Sequence, residues 1–142
     1  MPKLAQSKGD DYPDAAEKHL ADADLLFHAG RFDGAGYLTG YVVECVLKTY
    51  ILVEGTKPWG HDLNELSLKS LSLAAIPSGR TAKYPLKVTA GHSIYDKQTG
   101  WCETIRYRAP AVVPPQQAME WLAEAHAIYA PAIQQMKLDG LV

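Results

Sequence analysis

From Gly34 to Val53 the chain reads GAGYLTGYVVECVLKTYILV, apolar on almost every side. A helix that is hydrophobic nearly all round is normally buried, so this stretch predicts the central helix of a helical domain. Its polar residues are not scattered. At 100° per residue Tyr37, Tyr41, Glu44 and Lys48 fall within about 60° of one another. They form one narrow stripe, while Val42, Val46 and Val53 point roughly the other way and Val43 and Leu47 occupy a third side.

The same periodicity places the other elements around this helix. Residues 1–12 read as a disordered lead-in, followed by a single domain over 13–142. A first helix starts at Pro13 and Asp14 and closes at Gly30. Ala16, Leu20, Ala23 and Phe27, with Leu26 beside them, form its inner face, and His19 and His28 fall to solvent. The short connection Arg31-Phe32-Asp33 returns the chain antiparallel, with Asp33 as N-cap of the central helix. Asp62, with Glu65 three residues on, starts a helix through about Leu73 whose inner face includes Leu63, Leu66 and Leu71. Residues 76–100 show no sustained period and read as a long loop. A short helix is predicted from Trp101 to Arg108, stopped by Pro110. Pro114-Pro115 open a last helix with Met119, Leu122, His126 and Tyr129 near one face and Trp121, Ala125 and Ile128 beside it; Pro131 interrupts it. No stretch alternates as a strand does. The expected fold is an all-α antiparallel bundle of four to five helices with one long loop.

Composition narrows the function classes. The 142 residues are 47 % hydrophobic and 21 % charged with a net charge of −2, an ordinary globular balance with no global pull toward nucleic acid or anionic membrane. Charge is unevenly placed, however. Residues 1–75 carry 7 basic and 11 acidic side chains, residues 76–115 carry 6 and 2, and the remainder 1 and 3. The positive excess sits in one segment, where an anionic partner is expected. The central helix is long enough to cross a bilayer, but a mid-helix Glu and Lys would be expensive there, so no membrane is expected. Nothing at the N-terminus reads as a signal peptide. Cys45 and Cys102 have neither metal-ligand spacing nor a disulfide framework. A cytoplasmic location without metal or other cofactor is the expectation.

Three sets of residues can carry chemistry. In the stripe, Glu44 and Lys48 form an i,i+4 pair in the favoured order, and the Tyr37 and Tyr41 hydroxyls can satisfy it. The stripe either stabilises the bundle or lines a cleft or subunit interface in which Glu44 orients a basic group. His61, in GHDL, precedes a helix N-terminus that disfavours its protonated form; it serves as a local cap, a general base or a phosphate contact. Arg106-Tyr107-Arg108 puts an aromatic between two guanidinium groups, a pattern suited to phosphate contact with base stacking. Arg80, Lys83 and Lys87 are candidates for a basic rim around it. Gly36 and Gly40, four apart, predict close approach of another backbone. No Gly-rich phosphate loop, zinc-binding HExxH, CxxC or nucleophile elbow is present.

Taken in order, GYVVECVLK (40–48), GHDLNEL (60–66) and W-x4-RYR (101–108) resemble the HEPN superfamily, in particular its prokaryotic branch. AEKHL at the first helix and GRFDGAGYLTGY entering the second fit as well, so the resemblance covers roughly residues 15–108. It implies an all-α bundle, often a homodimer. Many members are RNA-cutting toxins or sit beside a minimal nucleotidyltransferase; others bind nucleotides or act as scaffolds. Catalytic members carry Arg, four to six residues, then His near the start of the last helix. Here Arg106 is followed at that spacing by Ala111, Val112 and Val113, and Arg108 by Val113, Pro114 and Pro115. Arg31 and Arg80 have no histidine at that spacing either.

The leading expectation is a nucleic-acid- or nucleotide-binding protein, a homodimer with a minimal nucleotidyltransferase as possible partner. In that reading Arg106 and Arg108 contact phosphate, Tyr107 stacks, and Lys48 and Tyr41 belong to the binding surface. Glu44, Asp62 and Tyr37 orient the others, Glu44 holding Arg106 or Lys48. The alternative is a non-catalytic interaction module in which Tyr37, Tyr41, Gly36 and Gly40 form the contact surface. A third reading is a metal-independent ribonuclease with His61 as base and Arg106 stabilising charge on the phosphate.

Overall fold

A computed structural model describes residues 10–86 and 92–142. Five α-helices are present among the described residues: α1 (Tyr12–His28), α2 (Phe32–Val53), α3 (Leu63–Ala74), α4 (Pro115–Tyr129) and a last turn, α5 (Gln135–Leu138). No strand occurs among the described residues, so the fold is the all-α bundle expected. The proposed lead-in falls mostly on residues outside the described ones, and Tyr12 already belongs to α1.

Both ends of α1 follow from local chemistry. The Asp11 carboxylate accepts from Asp14 N at 3.1 Å, filling one of the orphan donors of the first turn. At the other end Gly30 takes φ +75°, which a glycine adopts without penalty. Gly30 N then donates to Phe27 O and Arg31 N to Leu26 O, the paired bonds of a Schellman closure. The chain reverses at once. Leu26 meets Gly34, His19 meets Tyr41 and Lys48 lies over Tyr12. These pairs step seven residues in opposite directions along the two helices, so α1 and α2 run antiparallel along one seam.

Helix α2 is the centre. It packs against α1, α3 and α4, and Val42, Val43, Val46, Leu47, Tyr50 and Ile51 are buried on its several sides. It is long and apolar enough to cross a membrane, yet 78 % of its apolar window is buried inside the bundle. Asp33 is not its N-cap. Arg31 holds that position, and the Asp33 carboxylate instead accepts from Ala111 N at 2.7 Å and Val113 N at 2.8 Å. There it holds Ala111 at φ +66°, a conformation strained for a residue with a Cβ.

Asp62 caps α3 as expected, accepting from Asn64 N and Glu65 N. Leu63 and Leu66 face inward, but Leu71 and Leu68 are exposed, and the face is completed by Ser67 and Ser70. Each of these serines donates to a carbonyl one turn back in α3. They can therefore be buried without orphaning a hydroxyl, which leucine periodicity alone does not reveal. In α4 the buried face is Ala118, Trp121, Leu122, Ala125, Ile128 and Tyr129. Met119 and His126 turn out to solvent, and His126 Nε2 pairs with Asp24 of α1 at 2.8 Å. Pro131 acts as expected: Ala130–Gln134 relax into a π-helical segment that continues into α5, because Pro lacks the N–H and crowds the preceding turn.

The described parts of the long connection are fastened at two points. Glu54 at the end of α2 accepts from Thr81 N; Glu124 of α4 accepts from Ser93 N, Ser93 Oγ and Ile94 N. With Asp33, three helix carboxylates thus satisfy backbone N–H groups that have no ladder to join. Within it Ser93–Tyr95 forms a 3-10 turn. The expected helix over Trp101–Arg108 is a 3-10 turn at Glu103–Tyr107, between extended residues Cys102 and Arg108. Five residues bounded in this way are too few to nucleate an α-helix.

Candidate functional site

The stripe on α2 brings the three sequence motifs together. Glu44 and Lys48 are only 4 % and 6 % exposed, and Lys48 Nζ donates to Glu44 Oε1 at 2.7 Å. A pair so buried is destabilising unless its other hydrogen-bonding capacity is met. His61 meets part of it. Its Nδ1 lies 3.0 Å from the same Glu44 oxygen, and since a carboxylate only accepts, the ring proton sits on Nδ1. Nε2 is then the basic nitrogen, on a side chain 54 % exposed. Glu44 Oε2 is buried with no partner among the described residues.

One turn back on α2, Tyr41 carries the second motif. Tyr37 Oη donates to Tyr41 Oη at 3.2 Å, and Arg106 Nη1 lies 3.4 Å from Tyr41 Oη. The nearby Tyr37 and Tyr107 hydroxyls favour the charged form of the Arg106 guanidinium, and burial pushes the Tyr41 hydroxyl well above the ordinary tyrosine value. The anchor of Arg106 is therefore Tyr41, itself bonded to Tyr37, not Glu44, whose Oε1 is taken by Lys48 and His61. His61 and Arg106 are held by α2 residues three apart, which are neighbours on a helix surface.

Trp101 sets the position of this corner. Its indole lies on Gly40, where an added Cβ would come within 1.9 Å of the ring, and its Nε1 donates to Tyr37 O at 2.9 Å. Gly36 is covered in the same way by Val113 and Trp121. The two glycines thus admit side chains of their own chain, not another backbone, and they are buried rather than available as a contact surface between proteins.

His19 belongs to the site, against the expectation that it faces solvent. Its ring centroid is 5.9 Å from that of Tyr41, and its Nδ1 is buried with no partner among the described residues. Burial lowers its pKa, Lys18 lowers it further, and Asp22 and Glu44 oppose the shift. On α1 alone His19 lies off the apolar face. The seven-residue spacing of Tyr12, His19 and Leu26, facing Lys48, Tyr41 and Gly34, is the signal that would have found it.

Beside the stripe opens a cleft of about 900 Å³ walled by α3, residues 96–105 and the start of α4. His61, Trp101, Arg108 and Trp121 line it, and the Trp121 Nε1 is buried with no partner among the described residues. Asp62, Glu65, Asp96 and Glu103 outnumber the cations Lys97 and Arg108 in its walls. Such walls suit hydroxyl and amino donors, and leave phosphate to the guanidinium edge. At that edge Arg106, Tyr107 and Arg108 are all exposed, with the Arg106 guanidinium 4.8 Å from the Tyr107 ring centroid. Neither Arg80 nor Lys83 lines the cleft, and Lys83 lies against Tyr84 and Asp139. Lys87 lies outside the described residues. Among the described residues no group of three or more His, Cys, Asp or Glu is disposed to hold a metal ion.

An antiparallel helical hairpin, a GHDL turn anchored on its central helix and an RYR segment beside it define the class. The HEPN domain matches residues 11–135, and the chain belongs to the HEPN family. No curated protein and no solved structure matches it.

Proposed function

We propose that this HEPN domain binds nucleotides or nucleic acid, with phosphate at Arg106 and Arg108, a base on Tyr107, and the adjoining cleft accepting base or ribose. The observation that carries the reading is the exposed Arg106-Tyr107-Arg108 run, whose last residue, Arg108, lines the cleft. A guanidinium stacked on an exposed ring serves poorly as a stability device and well as a stacking platform with charge beside it. Titration of a fluorescent nucleotide and a labelled RNA across salt concentrations tests this. Affinity should fall as salt rises, and Arg106→Ala with Arg108→Ala should weaken binding at every salt and flatten the slope. Salt-independent binding, or binding indifferent to both arginines, would refute it. Homodimer formation and pairing with a minimal nucleotidyltransferase belong to the same proposal; sedimentation of the purified chain and the identity of the adjoining gene test them.

A second reading rests on a specific observation. Glu44 fixes through Nδ1 a His61 side chain that is 54 % exposed, the arrangement by which a carboxylate orients a general base. In that reading a ribose 2′-OH attacks the neighbouring phosphate, His61 takes its proton and Arg106 stabilises the charge, while the P–O5′ bond breaks to leave a 2′,3′-cyclic phosphate and a 5′-hydroxyl protonated from water. Incubation of mixed RNA with wild type, His61→Ala and Arg106→Ala decides it. RNA left intact by clean wild-type protein excludes cutting.

A further inference from the structure

We propose that Trp59 is a second stacking platform and that the ligand is a single strand of nucleic acid, long enough to span Trp59 and Tyr107, rather than a mononucleotide. The inference rests on the nucleic-acid reading above and goes beyond it in naming a strand.

Trp59 and Tyr107 are each 75 % exposed. A tryptophan buries more apolar surface than almost any other side chain, so leaving one this exposed gives the fold little. Both rings carry a cation: Lys57 Nζ lies 4.5 Å from the Trp59 centroid and the Arg106 guanidinium 4.8 Å from that of Tyr107. Their placement is also linked. Trp59 stands two residues before His61, with Pro58 buried behind it and Gly60 turning the chain at φ +79°. His61 is fastened to Glu44 and Arg106 to Tyr41. The two platforms thus spring from segments anchored one helical turn apart on the same stripe. An aromatic face with a cation beside it, occurring twice, matches the repeating base and phosphate of an unpaired strand. A duplex keeps its base faces stacked inside and offers them to neither ring, and a mononucleotide engages only one.

The rings also provide the assay. Trp101 and Trp121 are 6 % and 1 % exposed but line the cleft, so the part of the tryptophan quenching that is lost in Trp59→Phe reports Trp59. The probes are an oligouridylate of about twelve nucleotides, within the range of single-strand sites, the corresponding duplex RNA, and UMP. Quenching is expected with the single strand, and much weaker with UMP or duplex at equal nucleotide concentration. By anisotropy of an end-labelled oligouridylate, Trp59→Ala and Tyr107→Ala should each weaken binding by roughly fivefold or more. Trp59→Phe should restore most of the loss, which a role in charge alone would not. If Tyr107→Ala and Arg108→Ala weaken binding while Trp59→Ala does not, this inference fails and the reading beneath it stands. Equal affinity for UMP and the oligonucleotide has the same consequence, as does a Trp59→Ala variant that loses only self-association. If the wild type binds none of the three probes, the underlying reading fails as well.

Discussion

Gly40→Ala probes the packing that positions the RYR segment. An ideal Cβ there would lie 1.9 to 2.1 Å from three atoms of the Trp101 indole, and ordinary contact begins at 3.4 Å. The ring would therefore have to retreat by about 1.5 Å, the difference between 3.4 and 1.9 Å, away from the carbonyl of Tyr37 that its Nε1 donates to. Overpacking of this kind costs roughly 1–3 kcal/mol, and losing the hydrogen bond adds about 1 kcal/mol. Replacing a mid-helix glycine returns about 1 kcal/mol. The net expectation is a destabilisation of about 1–3 kcal/mol, read as a lower urea midpoint at unchanged slope. Because Trp101 begins the segment that carries Arg106, RNA or nucleotide affinity should fall with it. Combining Gly40→Ala with Trp101→Leu makes room for the methyl group, and the pair should be less destabilising than the two single effects added. A Gly40→Ala variant more stable than wild type would show that the indole does not sit on that glycine, and that something other than this contact positions Arg106.

Three further outcomes follow from the same structure. Glu44→Ala strands the buried Lys48 ammonium and should cost about 3–5 kcal/mol in denaturant unfolding; adding Lys48→Met should recover much of it, and no recovery would refute the paired-charge account. His19 has a folded pKa below its ordinary 6.5 because burial disfavours the charged ring. The unfolded chain then binds more protons, so stability is full above about pH 6.5 and declines as pH falls from there toward the folded value. His19→Gln should flatten that decline, and an unchanged pH profile would contradict it. Burial pushes the Cys45 thiol up to about 12, so iodoacetamide at neutral pH should label the partly exposed Cys102 in the native protein and Cys45 only after unfolding. Native labelling of Cys45, followed by mass spectrometry, would count against the buried placement.

Local sequence alone sets the central helix, the α1–α2 hairpin, the Asp62 cap and the interruption at Pro131, because each depends on residues within a turn or two of one another. It also places Tyr37, Tyr41, Glu44 and Lys48 on one stripe, since helical geometry requires nothing from the rest of the chain. What each stripe residue holds is a matter of packing. Glu44 takes Lys48 and His61 while Arg106 goes to the tyrosines, because Trp101 seats on Gly40 and delivers the RYR segment one turn away. Gly36 and Gly40 read as seats for another backbone, and only the packed chain shows that large side chains occupy them. Asp33 looks like a cap because capping is local, yet its carboxylate reaches backbone N–H groups at Ala111 and Val113. His19 escapes for the complementary reason. A half-buried seam residue belongs to two helices at once, and its environment becomes defined only when they pair.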